Sequence, residues 1–317
     1  MGRALLAFAA LSTALAALPL HAKDALPLPA EVASRADVAL LKPTGSWVVD
    51  FAGDNCRLQR DFELNGERHV VELKQQGPED SFQMVAAGPA LAKLGNRPDL
   101  AWGLRSDLPL TADPREAITN APDLGPAVFV RWATLGEVRI LMTRDGIALQ
   151  DRENTPNAEG VYLNHGQINP AAAAKVERIV FANMKDGAAV SFETGNMMDA
   201  FAALNACTGD LLTSWGLDPA RHRTYKSAYV LNFAEAFALI TRNIPRGVNI
   251  GQSLPYRLIV EADGKISDCH AGAEAKVAGA EKFCQTLMRK LKMAPARDAE
   301  GNPMRSFYTS AVSRAGA

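Results

Sequence analysis

Cysteine and histidine are the residues of this chain with the most chemistry to offer, four of the first and five of the second. Cys56, Cys207, Cys269 and Cys284 include no CxxC pair, and His21, His69, His165, His222 and His270 show no HxxxH spacing. A tetrahedral metal site therefore has no support in the sequence. His270 directly follows Cys269, and a histidine can lower a neighbouring thiol's pKa. In an oxidising compartment, however, a structural disulfide is the simpler use of that cysteine. Gly251-Gln252-Ser253 lacks the second glycine and the strand-to-helix setting of a nucleophile elbow. No phosphate-cradling glycine loop is present, so neither a metal nor a cofactor is implied. Catalytic groups would have to converge from distant positions, and His69 with acidic neighbours in a deep pocket is the arrangement that would mark a hydrolase.

The compartment is read from the first residues. Met1 to Ala22 has the parts of an export signal: Arg3, an apolar core from Ala4 to Leu18, and the small-residue cleavage site Leu20-His21-Ala22. The apolar run ends at Pro19, short of the roughly 20 residues a bilayer span needs, so no stable membrane anchor is expected once the signal is cleaved. Export makes two disulfides the expected use of four cysteines, with three connectivities open on spacing alone. Lys and Arg total 34 against 35 Asp and Glu. That balance argues against nucleic acid or an anionic membrane as the main partner, and the basic cluster Lys282, Arg289, Lys290 and Lys292 reads as a solvated helix face.

The elements that position the second cysteine pair lie between Pro255 and Val312. Tyr256 to Ala262 suits a strand, Asp263-Gly264 suits a two-residue type I′ turn, and Lys265 to Cys269 can return alongside. Pairing Ala262 with Lys265 sets Val260 opposite Ser267 and Leu258 opposite Cys269. From Ala280, apolar residues recur at Phe283, Cys284, Leu287, Met288 and Leu291, one stripe of an amphipathic helix. A helix laid on the Leu258 face aims Cys284 at Cys269, which leaves Cys56 with Cys207. That second bridge would close a loop of about 150 residues, nominally worth around 4 to 5 kcal/mol. A turn at Asp298 to Pro303 and a last strand, Met304 to Val312, complete the unit.

The order strand, strand, helix, strand, with Arg257 to Cys269 (RLIVEADGKISDC), Phe283-Cys284, Ala294 to Asn302 (APARDAEGN) and Tyr308, resembles the C-terminal domain of the TonB family of periplasmic energy transducers. Glu193 to Gly216 ahead of it is similar to uncharacterised exported bacterial proteins in which a β-rich domain precedes a TonB-like one. The resemblance implies a periplasmic location and a partner in the cell envelope, such as a segment of an outer-membrane transporter. It also implies an edge strand that accepts a partner strand, with Arg305, Phe307, Tyr308 and Thr309 as the partner-binding residues. Retention of the N-terminal segment would instead fit a TonB-type energy transducer.

The remaining chain alternates as short strands do, at Trp47, Val49 and Phe51, then Cys56 and Leu58, Val71 and Leu73, Phe82, Met84 and Ala86, and Val128, Val130 and Trp132. Val138, Ile140 and Met142 lead to a second hairpin signal at Asp145-Gly146, while Arg105 to Pro126 reads as a long connection. Asn169-Pro170 starts a helix, and Lys185 to Gly187 turns a hairpin. Met197, Phe201, Leu204, Cys207, Leu211 and Trp215 form a helix seam ending at Gly216. The expected fold is α+β: an antiparallel β-rich domain closed by a helix, followed by a ββαβ domain. The expected boundaries are a signal at 1–22, an irregular lead at 23–43, the β-rich domain at 44–217, a linker at 218–249 and the C-terminal domain at 250–317. N-terminal sequencing of protein recovered from cells should give Lys23 as the first residue, and a chain still starting at Met1 or Gly2 would overturn the signal reading.

Overall fold

A computed structural model describes residues 26–95, 99–112, 117–136, 138–143, 146–151, 163–248, 253–272 and 277–313. The expected export signal at 1–22 and the residues after Ser313 lie outside them. A short helix, α1 (Pro29–Ala33), precedes nine strands: β1 (Ala39–Pro43), β2 (Val48–Ala52), β3 (Asn55–Leu64), β4 (Glu67–Gln75), β5 (Ser81–Ala87), β6 (Leu100–Arg105), β7 (Thr111–Ala112), β8 (Ala117–Ala121) and β9 (Gly125–Thr134). Then come β10 (Val138–Thr143), β11 (Gly146–Asp151), β12 (Leu163–His165), α2 (Pro170–Ala173), β13 (Val176–Asn183), β14 (Ala189–Glu193) and α3 (Met198–Ser214). The Asp145-Gly146 turn lies partly outside the described residues, and its flanking strands pair with Thr143 opposite Gly146.

The large sheet has the order β7-β6-β13-β14-β1-β3-β4-β5-β9-β8, with β2 beside β3. Two expectations are corrected by this order. Residues before 44 are not an irregular lead, because β1 is a central strand and Leu41 is fully buried. The sheet is also not purely antiparallel, since β1 runs parallel to β14, with Leu40 opposite Ser191. The cause lies in how β1 is shared: its first residues pair with β14, while Lys42 and Pro43 pair with β3 ahead of β2. The sheet curls where the chain changes neighbour. Arg105 to Pro126, expected to be one connection, contributes β7 and β8.

Helix α3 covers this sheet as its seam requires. Phe201, Leu204, Cys207, Leu211 and Trp215 are buried, and Gly216 adopts φ +67° after the last turn, where a side chain would be strained. Cys207 bonds to Cys56 on β3, and Phe201 packs on Phe82 with ring centroids 5.4 Å apart. Among the described residues, no helix is long and apolar enough to cross a membrane.

The second part of the chain comprises β15 (Thr224–Lys226), β16 (Tyr229–Val230), α4 (Phe233–Arg242), β17 (Ser253–Val260), β18 (Ile266–Ala271), α5 (Ala280–Lys290), β19 (Met293–Ala294), β20 (Ala296–Arg297), β21 (Pro303–Met304) and β22 (Ser306–Ser313). The three-stranded sheet is ordered β18-β17-β22, and α5 packs on it through Phe283 against Tyr256, 5.6 Å between rings. Cys269 and Cys284 are bonded, and Leu258 lies opposite Cys269. The turn differs from the type I′ expectation. Gly264 N–H bonds to Glu261 O and Glu261 N–H to Lys265 O, with positive φ at Gly264 alone. This is the three-residue loop in which glycine takes the left-handed position, and the resulting bulge sets Val260 opposite Ile266 rather than Ser267. Met288, expected in the buried stripe, faces outward at its rim.

No free linker separates the two parts. β15 sits between β12 and β20 in a four-stranded sheet β12-β15-β20-β21, β16 pairs with β19, and Tyr225 is buried. One hydrophobic cluster runs from Ala39 through Val312. The structure is thus mixed α+β with a continuous core. Removing the long-range bridge by Cys56→Ala with Cys207→Ala should cost about 4 to 5 kcal/mol, against about 3 kcal/mol for Cys269→Ala with Cys284→Ala, because the sequence separations are 151 and 15. Urea unfolding of the two double variants checks the ranking.

Candidate functional site

A cleft of about 780 Å³ opens where the end of β4, the start of β5 and the middle of β9 face the C-terminal sheet. Lys74, Gln75, Gln76, Glu79, Ser81 and Gln83 supply its polar lining, and Phe129 and Trp132 its aromatic one. The opposite wall is Pro255 with Thr309, Ser310 and Ala311 of β22. Among the described residues β22 has a single strand partner, β17, and so lies at an edge of its sheet.

Trp132 reaches the cleft through a local irregularity. Met84 pairs with Val130 but Phe82 pairs with Ala133, so β9 carries an extra residue between them. Val128, Val130, Ala133 and Leu135 are buried, whereas Trp132, expected to share the Val128 face, is 50% exposed. The bulge inverts the alternation and turns the indole outward, a common device beside binding sites. The Arg131 guanidinium stands 5.7 Å from the indole centroid, giving an aromatic platform with a cation at its side.

The polar wall is built around Gln75, which is 2% exposed. Its Nε2 donates to Glu79 O at 2.6 Å and Ser81 O at 2.9 Å, while its Oε1 has no hydrogen-bond partner. A buried amide oxygen left in that state is costly unless a donor reaches it. Glu79 is partly exposed. Desolvation pushes its carboxyl up to about 7, with the hydrogen bond from Ser81 acting against the shift and the charge of Asp80 adding to it. Ser81 Oγ donates to Glu79 Oε2 at 3.2 Å.

A smaller charged hollow continues the cleft past Lys74, Gln76, Pro255 and Thr309. There Asp54 holds Arg257 at 2.9 Å and His270 at 2.9 Å, while Arg257 also lies 4.4 Å from the Trp215 ring centroid. Asp54 sits in the turn between β2 and β3, so these contacts tie the two sheets together rather than leaving charges for a ligand.

The expected partner-binding residues divide between roles. Thr309 faces the cleft. Phe307 is buried against Trp215, His222 and Tyr225. Arg305 donates to Glu261 at 2.9 Å and to Gly216 O at 2.6 Å, and Tyr308 lies on the other face beside Tyr256. His69, considered for a hydrolase, is not in the cleft. It is fully buried, its Nδ1 contacts Glu67 O at 3.0 Å and its Nε2 accepts from Ala90 N–H at 3.0 Å, capping a 3-10 helix. His222 is bolted between Asp218 O and Ser306 Oγ, and burial lowers the pKa of both rings. Among the described residues no cluster of three metal-ligating side chains occurs. Trp132 and Glu79 were invisible to sequence reasoning, the first because bulges leave no pattern and the second because its neighbours are distant.

No family model, curated protein or solved structure matches this chain.

The raised carboxyl of Glu79 sets a pH dependence. The unfolded group titrates near 4.5 and the folded one near 7, so the folded chain binds the extra proton between those values. This group's effect on stability is therefore unfavourable increasingly as pH rises from about 4.5 to 7. Glu79→Gln should be more stable than the parent at pH 8 by on the order of 1 to 3 kcal/mol and equal to it at pH 4. Urea unfolding of both proteins at the two pH values checks this, the difference between them cancelling the opposite slopes of His69 and His222.

Proposed function

We infer that the chain is a non-catalytic interaction protein of the periplasm that holds an extended segment of a cell-envelope partner in the cleft beside β22. The observation that carries the reading is the pairing of an edge strand with a re-aimed indole across one open cleft. An edge strand offers unsatisfied N–H and C=O groups to an extended peptide, and alternate side chains of that peptide then need separate seats. Phe129 and Trp132 offer an apolar seat, and the Gln76 and Gln83 amides polar contacts. The strand, strand, helix, strand order of the C-terminal unit and its TonB-like residues support partner capture, with an outer-membrane transporter segment as one such partner. Two disulfides fit an exported protein. Energy transduction has less support, because a folded β-rich unit occupies the place of a spacer.

A hydrolase is the second reading, and one observation favours it: Ser81 Oγ lies within hydrogen-bond distance of a carboxyl poised near 7. A base of that strength can accept a hydroxyl proton, but the neighbours of the pair, Gln75, Asp80 and Tyr225, include no histidine and no cationic side chain to stabilise a developing oxyanion.

Photo-crosslinking separates the readings. A photoreactive residue placed at Thr309, and separately at Phe129, should capture the same envelope protein from intact cells, and Trp132→Ala should lower recovery by about thirtyfold, the effect of losing a central aromatic anchor worth about 2 kcal/mol. Ser81→Ala should leave recovery unchanged. Full recovery with Trp132→Ala in a folded variant would remove the cleft from consideration.

A further inference from the structure

Helix α4 carries more apolar surface than the protein covers. Leu239, Ala236, Ile240, Phe233 and Phe237 form one apolar arc at helical spacing, with Glu235, Thr241 and Arg242 on the other side. Ala236 is buried and Leu239 and Ile240 are half-buried, yet Phe233 and Phe237 are 68% and 61% exposed. Their rings stack on one another, 6.4 Å apart and 27° from parallel, so the solvent-facing half of the arc is a continuous aromatic surface.

The surface extends beyond the helix. Leu231 is 59% and Tyr229 43% exposed, and both precede α4 on the short ribbon formed by β16 and β19. Tyr229 pairs with Ala294 and Val230 with Met293, and Leu231 N–H bonds to Lys292 O at 2.8 Å. The register places Leu231 opposite Lys292, so their side chains leave the ribbon on the same face. Asn232, the residue before α4, accepts from Lys292 N–H and donates to Lys290 O, fixing the end of α5 against the start of α4. Arg289, Lys290 and Lys292 are all exposed there. The acid on α4, Glu235, is on the helix's polar side, where Asn232 Nδ2 donates to it.

We propose that Tyr229, Leu231, Phe233 and Phe237, bordered by Lys290 and Lys292, form a peripheral membrane-binding surface for anionic phospholipid. The chemistry of the border decides the occupant. An aromatic and aliphatic surface flanked by lysines matches the boundary between acyl chains and anionic headgroups, where the rings enter the apolar side and the ammonium groups stay among phosphates. A second copy of the chain seated on the same patch would bring the lysines of two α5 ends together, which opposes association. The near-zero net charge of the whole chain does not set the sign of this patch, because charge interactions decay over about 8 to 10 Å in physiological salt and, where α5 meets α4, Arg289, Lys290 and Lys292 outnumber Glu235. The surface is distinct from the peptide cleft, so the protein can hold a partner while resting on a bilayer.

The test is sedimentation of protein purified from cells with two sets of vesicles, one of phosphatidylcholine alone and one with about a third of it replaced by phosphatidylglycerol. The parent should sediment with the anionic vesicles and not with the neutral ones, and raising the salt should weaken binding. Phe233→Ser with Phe237→Ser, and separately Lys290→Glu with Lys292→Glu, should each weaken binding by about tenfold or more. All four positions are exposed, so both variants should keep the parental melting temperature. Equal sedimentation with both vesicle types, or variants that bind as the parent does, would overturn the proposal. A concentration-dependent dimer abolished by the Phe233 and Phe237 changes would also overturn it, assigning the patch to a second copy.

Discussion

The two halves of this protein are held in register by one wedge. Phe307 projects from β22 into a notch at Gly77, where an added methyl would lie 2.5 Å from its ring, and packs there on Trp215, His222 and Tyr225. The contacts come from three stretches: Trp215 follows α3, His222 and Tyr225 belong to the segment between the halves, and Gly77 follows β4. A single aromatic side chain therefore fixes the large sheet, its covering helix and the C-terminal sheet relative to one another. Rings in edge and tilted contacts of this kind contribute beyond their buried area, and Arg257 lying over Trp215 extends the cluster toward Asp54. Gly166 shows how closely the segment is held, since a methyl there would meet His222 O at 1.7 Å.

The cleft is a consequence of this docking. Residues 309–311 continue β22 beyond the wedge, while the bulge in β9 carries Trp132 away from the buried face. The contact at Phe307 is aromatic and close, whereas at Thr309 the facing wall, with Phe129 and Trp132 among polar groups, stands off across the cleft. Arg305 and Phe307, which share a face with Thr309, are engaged within the protein, Phe307 in the aromatic cluster and Arg305 with Glu261 and Gly216, whereas Thr309 faces the cleft.

Much of the fold was legible because local pattern and tertiary environment agreed. The α3 seam, the α5 stripe and the hairpin opposite Cys269 each follow from periodicity, and the alternation in β3, β4 and β5 marks their buried faces. Misreadings cluster where tertiary pairing overrides the local signal. Lys23 to Pro43 looks irregular because α1 has five residues and β1 draws its stability from β14, some 150 positions away. Asp263-Gly264 satisfied two turn types, and the choice of the three-residue loop rests on which position takes the left-handed conformation. At Trp132 the sequence continues a perfect alternation that the backbone does not. The residues between the halves read as a linker because two- and three-residue strands carry no period. The cleft was out of reach for the same reason, since its walls come from five strands spread widely across the sequence.

The docking of the two halves also holds the walls of the cleft in place. The interface between the halves has an aromatic centre, a rim of ion pairs such as Arg257 with Asp54 and Arg221 with Asp298, and short strands that cross between the parts. Separating the halves would expose Phe307 and remove Asp54 from Arg257, which would keep only the longer contact with Asp268 of its own sheet, at 3.5 Å. The cleft is therefore set before any ligand arrives, and a peptide entering it loses its own freedom without also ordering the walls. The Cys56–Cys207 bond extends the same logic to the large sheet. It anchors the helix that carries Trp215 to the strand next to β4, so the seat of Phe307 and the polar wall of the cleft stand on one covalently closed frame.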